Sequence, residues 1–174
     1  MDRCYSCGKK IRIIKDKPYL YDACGLNVKI FGITQYVCDS CGESYVSLPQ
    51  IDQLHRVIGA QICVENKALL MPEEIKFLRK DLHLKSKELA KTLGVTPSQV
   101  SRWENGQKPI GEAYDRLLRS IYMMHAEEEV RMILKQSFVD MFKDFPKKRK
   151  KIEKSREIDL NPQDWMNLSG FCPA

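Results

Sequence analysis

Four of the seven cysteines form two C-x2-C-G knuckles, Cys4-Tyr5-Ser6-Cys7-Gly8 and Cys38-Asp39-Ser40-Cys41-Gly42, separated by the thirty residues from Gly8 to Val37. Two residues between thiolates let both sulfurs reach one tetrahedral ion. The glycine after each pair permits the left-handed turn that aims backbone N–H groups at sulfur. The expected chemistry is one structural zinc ion per chain, held by Cys4, Cys7, Cys38 and Cys41. Four thiolates leave such a site negative, and Arg3, Lys9, Lys10 and Arg12 flank it with compensating charge. The rival reading is a pair of dithiol redox motifs, but those open helices in a βαβ setting, whereas glycine and strand-like sequence follow each pair here. A catalytic zinc needs an open position, and all four are filled. Cys24, Cys63 and Cys172 have no partner at ligand spacing, and Cys24 and Cys63 read as small buried hydrophobes. His55, His83 and His125 are isolated and read as surface or packing residues. No Ser-His-Asp, Cys-His, paired-carboxylate or phosphate-loop arrangement is discernible, so no enzyme is expected.

A second chemistry lies between Leu82 and Ile110. Leu89 and Leu93 share one helix face, and Ala90 is small enough for a second helix to cross close by. Gly94 ends that helix where a left-handed residue is cheap, and Val95 plugs the corner. Thr96, Pro97 and Gln99 supply a cap, a proline at the first helical position and the capping-box spacing. Val100 and Trp103, three apart, face inward. Ser98, Gln99, Ser101 and Arg102 therefore face outward, forming a short, polar, basic surface able to reach base edges in a major groove. An ordinary helical hairpin with a solvated face is the plain alternative. Against it stands the coincidence of the small residue, the capping box and the Trp103-Glu104-Asn105-Gly106 stop at the mutual spacing of a DNA-binding helix-turn-helix.

The elements that must position these residues follow from the same pattern. Ile11 to Ile14, Tyr19 to Tyr21 and Asn27 to Phe31 are β-prone, broken at Lys17-Pro18 and Cys24-Gly25, which predicts a zinc β-ribbon over residues 1–48. So small a module has little core, and the metal is expected to supply much of its folding energy. A connecting helix runs from Pro49 to about Glu65 with Ile51, Leu54, Ile58 and Ile62 at helical spacing, within a 49–69 connector. The helix-turn-helix domain spans 70–122. Pro72 and Glu73-Glu74 open it, Ile75, Leu78 and Leu82 line it, and Tyr114, Leu117, Leu118 and Ile121 close it. Residues 123–174 are a helical extension, a basic run and a tail. From Glu112 the helical pattern continues to about Phe142, with Val130, Ile133, Leu134, Phe138, Met141 and Phe142 as an apolar face that either packs on the domain or forms a dimer seam. The predicted fold class is α+β.

Charge and composition narrow the partners. The chain has 174 residues, 43% hydrophobic and 30% charged, and a formal net charge of +6. Lys143 to Arg156 carries eight cations against two acids, so this stretch accounts for the whole surplus. Its basic run, Lys147 to Lys151, is either a solvated linker or a contact for phosphates or a partner. The last segment, with Leu160, Trp165, Met166, Leu168 and Phe171, is expected to dock on the body of the protein or on another chain. No run approaches eighteen apolar residues, no leader is visible, and the odd cysteine count disfavours a disulfide framework. A cytoplasmic protein that makes no membrane contact is expected.

Ile75 to Lys80, Glu88-Leu89-Ala90, Leu93-Gly94-Val95-Thr96 and Val100 to Gly106 resemble the Xre/Cro-type helix-turn-helix, and more narrowly that of the MqsA (YgiT-type) zinc-finger antitoxins. The resemblance covers roughly residues 1–120. It implies a zinc module that holds a ribonuclease toxin and a dimeric helix-turn-helix that represses the operon encoding both. By matching positions, Ser98, Gln99 and Arg102 read bases while Asn105 and Lys108 lie near phosphates. Lys85-Ser86 departs from the Ser-Gln that commonly opens the second helix of such motifs, leaving the phosphate contact usual there to Ser86 or Lys87. The partners implied are a double-stranded operator, a toxin and a second copy of the chain. The alternative is a stand-alone zinc-ribbon and helix-turn-helix regulator of a mobile element with no toxin.

Overall fold

The computed structural model describes residues 3–15, 17–22, 25–64, 68–126 and 157–166. Cys24, Cys172, the apolar face from Val130 to Phe142, the basic run from Lys147 to Lys151, Leu168 and Phe171 lie outside the described residues. The architecture is α+β, with small N-terminal sheets, a four-cysteine cluster and, among the described residues, six helices.

Five short strands come first: β1 (Arg12–Ile14), β2 (Tyr19–Tyr21), β3 (Asn27–Ile30), β4 (Gln35–Val37) and β5 (Ser44–Val46). They separate into two sheets. One is antiparallel, in the order β1-β4-β5, with Ile13 opposite Tyr36 and Tyr36 opposite Tyr45. The other joins the β2-β3 hairpin to a strand from the far end of the chain, β6 (Glu157–Leu160), which runs parallel to β3. The strand regions expected before residue 32 are present. β5 is the strand-like sequence after the second cysteine pair, whereas β4 and β6 are additions that the sequence pattern did not single out.

The helices are α1 (Ile51–Val64), α2 (Pro72–Asp81), α3 (Ser86–Leu93), α4 (Pro97–Glu104), α5 (Glu112–His125) and α6 (Gln163–Met166). Leu54, Ile58 and Ile62 of α1 are buried as their spacing predicts, whereas Ile51, in the first turn, is exposed. Likewise Leu118 of α5 is buried and its neighbour Leu117 exposed. The two point about 100° apart on the helix, and at this turn only Leu118 faces the core. Helix α5 ends at His125 with Ala126 as its cap.

The buried side chains form two clusters. The larger runs from Tyr21, Val28 and Ile30 of the β2-β3-β6 sheet through α1 into all of α2 to α5, and includes Leu160 and Trp165. The smaller consists of Cys4, Ile11 and Cys38, with Tyr36 and Tyr45 packed on it. The described tail therefore docks on its own chain. Trp165 is fully buried and its indole N–H donates to the Pro49 carbonyl at 2.9 Å.

A buried ion pair within α5 anchors that helix to the end of α1. Arg119 and Asp115 are both fully buried at 3.0 Å. The guanidinium also donates to the carbonyls of Ile62, Cys63 (3.1 Å) and Ala68 (3.0 Å), and Asp115 Oδ1 accepts from Leu70 N–H at 2.7 Å. The last turn of α1 leaves carbonyls without helical partners, and here a cation from a second helix satisfies them. Tyr122, one turn further along α5, lies directly against Gly59 and donates to Asp81 Oδ2 at 2.5 Å.

Candidate metal centre and nucleic-acid face

The two knuckles are built alike, as their sequences require. Gly8 N–H donates to Cys4 O and Gly42 N–H to Cys38 O, each at 2.9 Å, and both glycines hold left-handed φ, +70° and +76°. Cys4 N–H donates to Lys9 O and Cys38 N–H to Glu43 O, each at 2.8 Å, closing the two turns identically. The first knuckle leads into β1 and the second joins β4 to β5, so one antiparallel sheet brings the pairs together.

The four sulfurs lie within 4.8 Å of one another and can hold a metal ion. Cys4 and Cys41 Sγ are 3.6 Å apart, and Cys7 and Cys38 Sγ 3.5 Å. A tetrahedral tetrathiolate ion with metal–sulfur bonds of about 2.3 Å has edges of about 3.8 Å. The donor set fits such an ion in number, element and spacing. Cys4 and Cys38 are buried while Cys7 and Cys41 are exposed.

The thiols are strongly differentiated. Cys4 is lowered to about 6, first by the Tyr45 hydroxyl and then, against burial, by the N–H groups of Cys7 and Ser6. Cys38 is lowered by the N–H groups of Cys41 and Ser40. Cys41 is pulled down by Glu43 N–H, but its hydrogen bonds to Cys38 and Cys7, burial and the bond to Cys4 together outweigh that and push it up to about 12. Crowded thiols oppose each other's ionisation, and a divalent cation removes that opposition. Arg12 pairs with Asp39 at 2.9 Å, tying β1 to the second knuckle, so its charge is shared with a carboxylate.

At the second site, Gly94 ends α3 with φ +68° and ψ 32°, its N–H donating to the carbonyls of Ala90 and Lys91. Thr96 caps α4 by accepting Gln99 N–H at 3.3 Å on its hydroxyl. Glu88 reaches back to Lys85 N–H at 2.6 Å, which closes the start of α3. Leu89, Ala90, Leu93, Val100 and Trp103 are buried, and Val95 packs on the same core. On the other side of α4, Ser98, Ser101, Arg102, Asn105 and Lys108 are exposed and Gln99 is half-buried. The Asn105 amide donates to the Ser101 hydroxyl at 3.2 Å. Lys85, Lys87 and Lys91 of the α3 region are exposed, and Ser86 is half-buried.

Two supports for these sites carry no local signal in the sequence. Arg79 of α2 forks onto Glu104 at the end of α4, with its Nη2 at 3.1 Å from Oε2, and its Nη1 donates to Leu84 O at 2.9 Å, which orients α4 against the α2–α3 corner. Tyr45 of β5 places its hydroxyl 2.8 Å from Cys4 Sγ. Both pairs join residues far apart in the chain. The three histidines, isolated in the sequence, share one cleft of about 810 Å³ among α1, α2 and α5. His55 lies against Tyr21 and Phe77, with its Nε2 2.6 Å from the Tyr21 hydroxyl, and His83 and His125 are exposed.

The family model for the antitoxin component of bacterial toxin-antitoxin systems, MqsA, matches residues 2–131. The chain belongs to this family, and the match does not favour a stand-alone regulator. No curated protein matches the chain. Residues 157–166, which complete the second sheet, lie beyond the matched stretch. Among the described residues, no helix is long and apolar enough to cross a membrane.

Proposed function

We propose that this antitoxin is a zinc-containing repressor of its own operon, with DNA read by the α3–α4 helix-turn-helix and a small ribonuclease toxin held by the N-terminal part, residues 1 to about 66. The domain division expected from the sequence, 1–48, 49–69, 70–122 and 123–174, is part of this reading. The observation that carries it is the two-sidedness of α4. Val100 and Trp103 anchor the helix from behind while Ser98, Ser101 and Arg102 stand in solvent.

In this reading α4 enters the major groove. Arg102 donates a bidentate pair to guanine and Gln99 pairs with adenine, each worth about 1–3 kcal/mol of discrimination. Ser98 and Ser101 sit at the same surface, and Asn105 and Lys108 meet phosphates with Ser86 and Lys87. A homodimer presents two such helices to a two-fold symmetric operator. Zinc, when bound to Cys4, Cys7, Cys38 and Cys41, supplies a closed structural cross-link with no position open for water. The surrounding side chains orient the thiolates and join the cross-link to β1, β4 and β5. The protein acts in the cytoplasm on this account, where thiols stay reduced.

The test is a base-by-base binding profile on DNA from around the chain's own gene. Arg102→Ala is expected to relax preference at one position per half-site while leaving the others. An unchanged profile would remove Arg102 from the readers. Co-expression with the adjacent small gene tests the toxin: a stable complex lost on truncation of residues 1–66 supports the proposal, and no complex with any neighbouring product refutes it.

A further inference from the structure

Tyr45 is the one side chain other than a cysteine that reaches a cluster sulfur among the described residues. Its hydroxyl lies 2.8 Å from Cys4 Sγ and 3.1 Å from the backbone nitrogen of Tyr5. The Tyr5 N–H can only donate, so the hydroxyl oxygen is its acceptor. A thiolate can only accept, so the hydroxyl's own proton points at sulfur. The direction of both hydrogen bonds follows without ambiguity once Cys4 is ionised.

This contact breaks the symmetry of two otherwise matching knuckles. Gly8 N–H and Gly42 N–H close the same turn onto Cys4 O and Cys38 O, each at 2.9 Å. Tyr45 adds a side-chain hydroxyl at Cys4 Sγ, and among the described residues no hydroxyl lies at Cys38 Sγ. The geometry is held from both sides. Tyr45 lies opposite Tyr36 in the β4-β5 ladder, and its ring meets that of Tyr5 edge-on with centroids 5.6 Å apart. It also packs on the small cluster of Cys4, Ile11 and Cys38.

We propose that Tyr45 is a positioning residue of the metal centre, its hydroxyl donating to the Cys4 thiolate so as to fix that ligand's orientation and drain its charge. The inference rests on the four-thiolate metal reading above. Its consequences are tighter metal binding, because the ligand is held in place for the ion, and a less nucleophilic sulfur, because a hydrogen-bonded thiolate gives up electron density. Outer donors of this kind change metal affinity by about 10- to 100-fold.

The experiment uses the full chain loaded with cobalt(II), whose thiolate-to-metal charge-transfer bands report electron density on sulfur. One cobalt per unsubstituted chain with a tetrahedral tetrathiolate spectrum is required first, and its failure overturns the metal reading itself. Tyr45→Phe keeps the ring and removes the hydroxyl. The expected result is a charge-transfer band moved to lower energy and a cobalt affinity, measured by chelator competition, lower by about 10- to 100-fold. A spectrum and affinity equal to those of the unsubstituted chain overturn the role of Tyr45 while leaving the metal reading intact. Should Tyr45→Phe fail to fold, a monofluorinated tyrosine placed at position 45 keeps ring and hydroxyl but donates more strongly. The band must then move to higher energy, and an unmoved band overturns the proposal.

Discussion

Replacing Trp165 by alanine tests whether the far end of the chain is part of the core. Trp165 is fully buried on α6, packed with Leu160 in the main cluster, and its indole N–H satisfies the Pro49 carbonyl just ahead of α1. Truncating a buried tryptophan costs about 3–5 kcal/mol, and it also strands the Pro49 acceptor. For a chain of this size each kcal/mol lowers the melting temperature by about 2–4 °C, so a drop of roughly 6–20 °C is expected. The effect has a local signature too. Phe31 N–H donates to Leu160 O at 2.9 Å across the β3-β6 junction. Its amide should lose protection from hydrogen exchange in Trp165→Ala, whereas the Gly8 and Gly42 amides at the knuckles should keep theirs. Thermal denaturation and amide exchange read the two quantities. A midpoint unchanged from the parent chain, with Phe31 still protected, would refute the docking of residues 157–166.

Three other perturbations probe the joints between elements. A Cβ at Gly59 would collide with Tyr122 Oη and Cζ, so Gly59→Ala should destabilise by about 1–3 kcal/mol despite alanine's better helix propensity, and Tyr122→Leu should relieve it; a calorimetric double-mutant cycle checks both. Arg119→Met strands the buried Asp115 and three carbonyls, with an expected cost of about 3–5 kcal/mol, and replacing both partners by apolar residues should cost less; chemical denaturation of the three variants decides it. Glu157, exposed and hydrogen-bonded to Lys29, is held below the ordinary glutamate value of 4.5. Its contribution is therefore present above that value and fades as the pH falls through the lower folded one. The β3-β6 pairing should loosen on acidification in the parent but show a weaker pH dependence in Lys29→Met, measured by Phe31 amide exchange.

What the residues made legible was local and repetitive. Cysteine spacing located the four-cysteine cluster, because two glycine-closed turns are self-contained, and the Gly94 turn, the Thr96 cap and the inward pair Val100 and Trp103 followed from local turn and helix patterns. What escaped was long-range. β6 pairs with β3 across more than a hundred residues, and nothing in Glu157–Leu160 alone names a partner. β4 and β5 are three residues each and border the second knuckle, whose cysteine spacing was the stronger local signal. Nothing in the sequence around Arg119 singles it out, yet it is buried because the end of α1 presents carbonyls to it. Tyr45 and the Arg79–Glu104 fork were hidden for the same reason, since each acts on a residue brought near only by the fold.

The most direct measurement is selection of genomic DNA fragments by the full, metal-loaded chain, followed by competition against bulk DNA at physiological salt. The account predicts enrichment of a two-fold symmetric sequence beside the chain's own gene, with binding at least a thousandfold tighter than to bulk DNA, about the lower end of specific recognition. Uniform capture, with no fragment outcompeting the bulk, would contradict the assignment of α4 as the element that reads DNA.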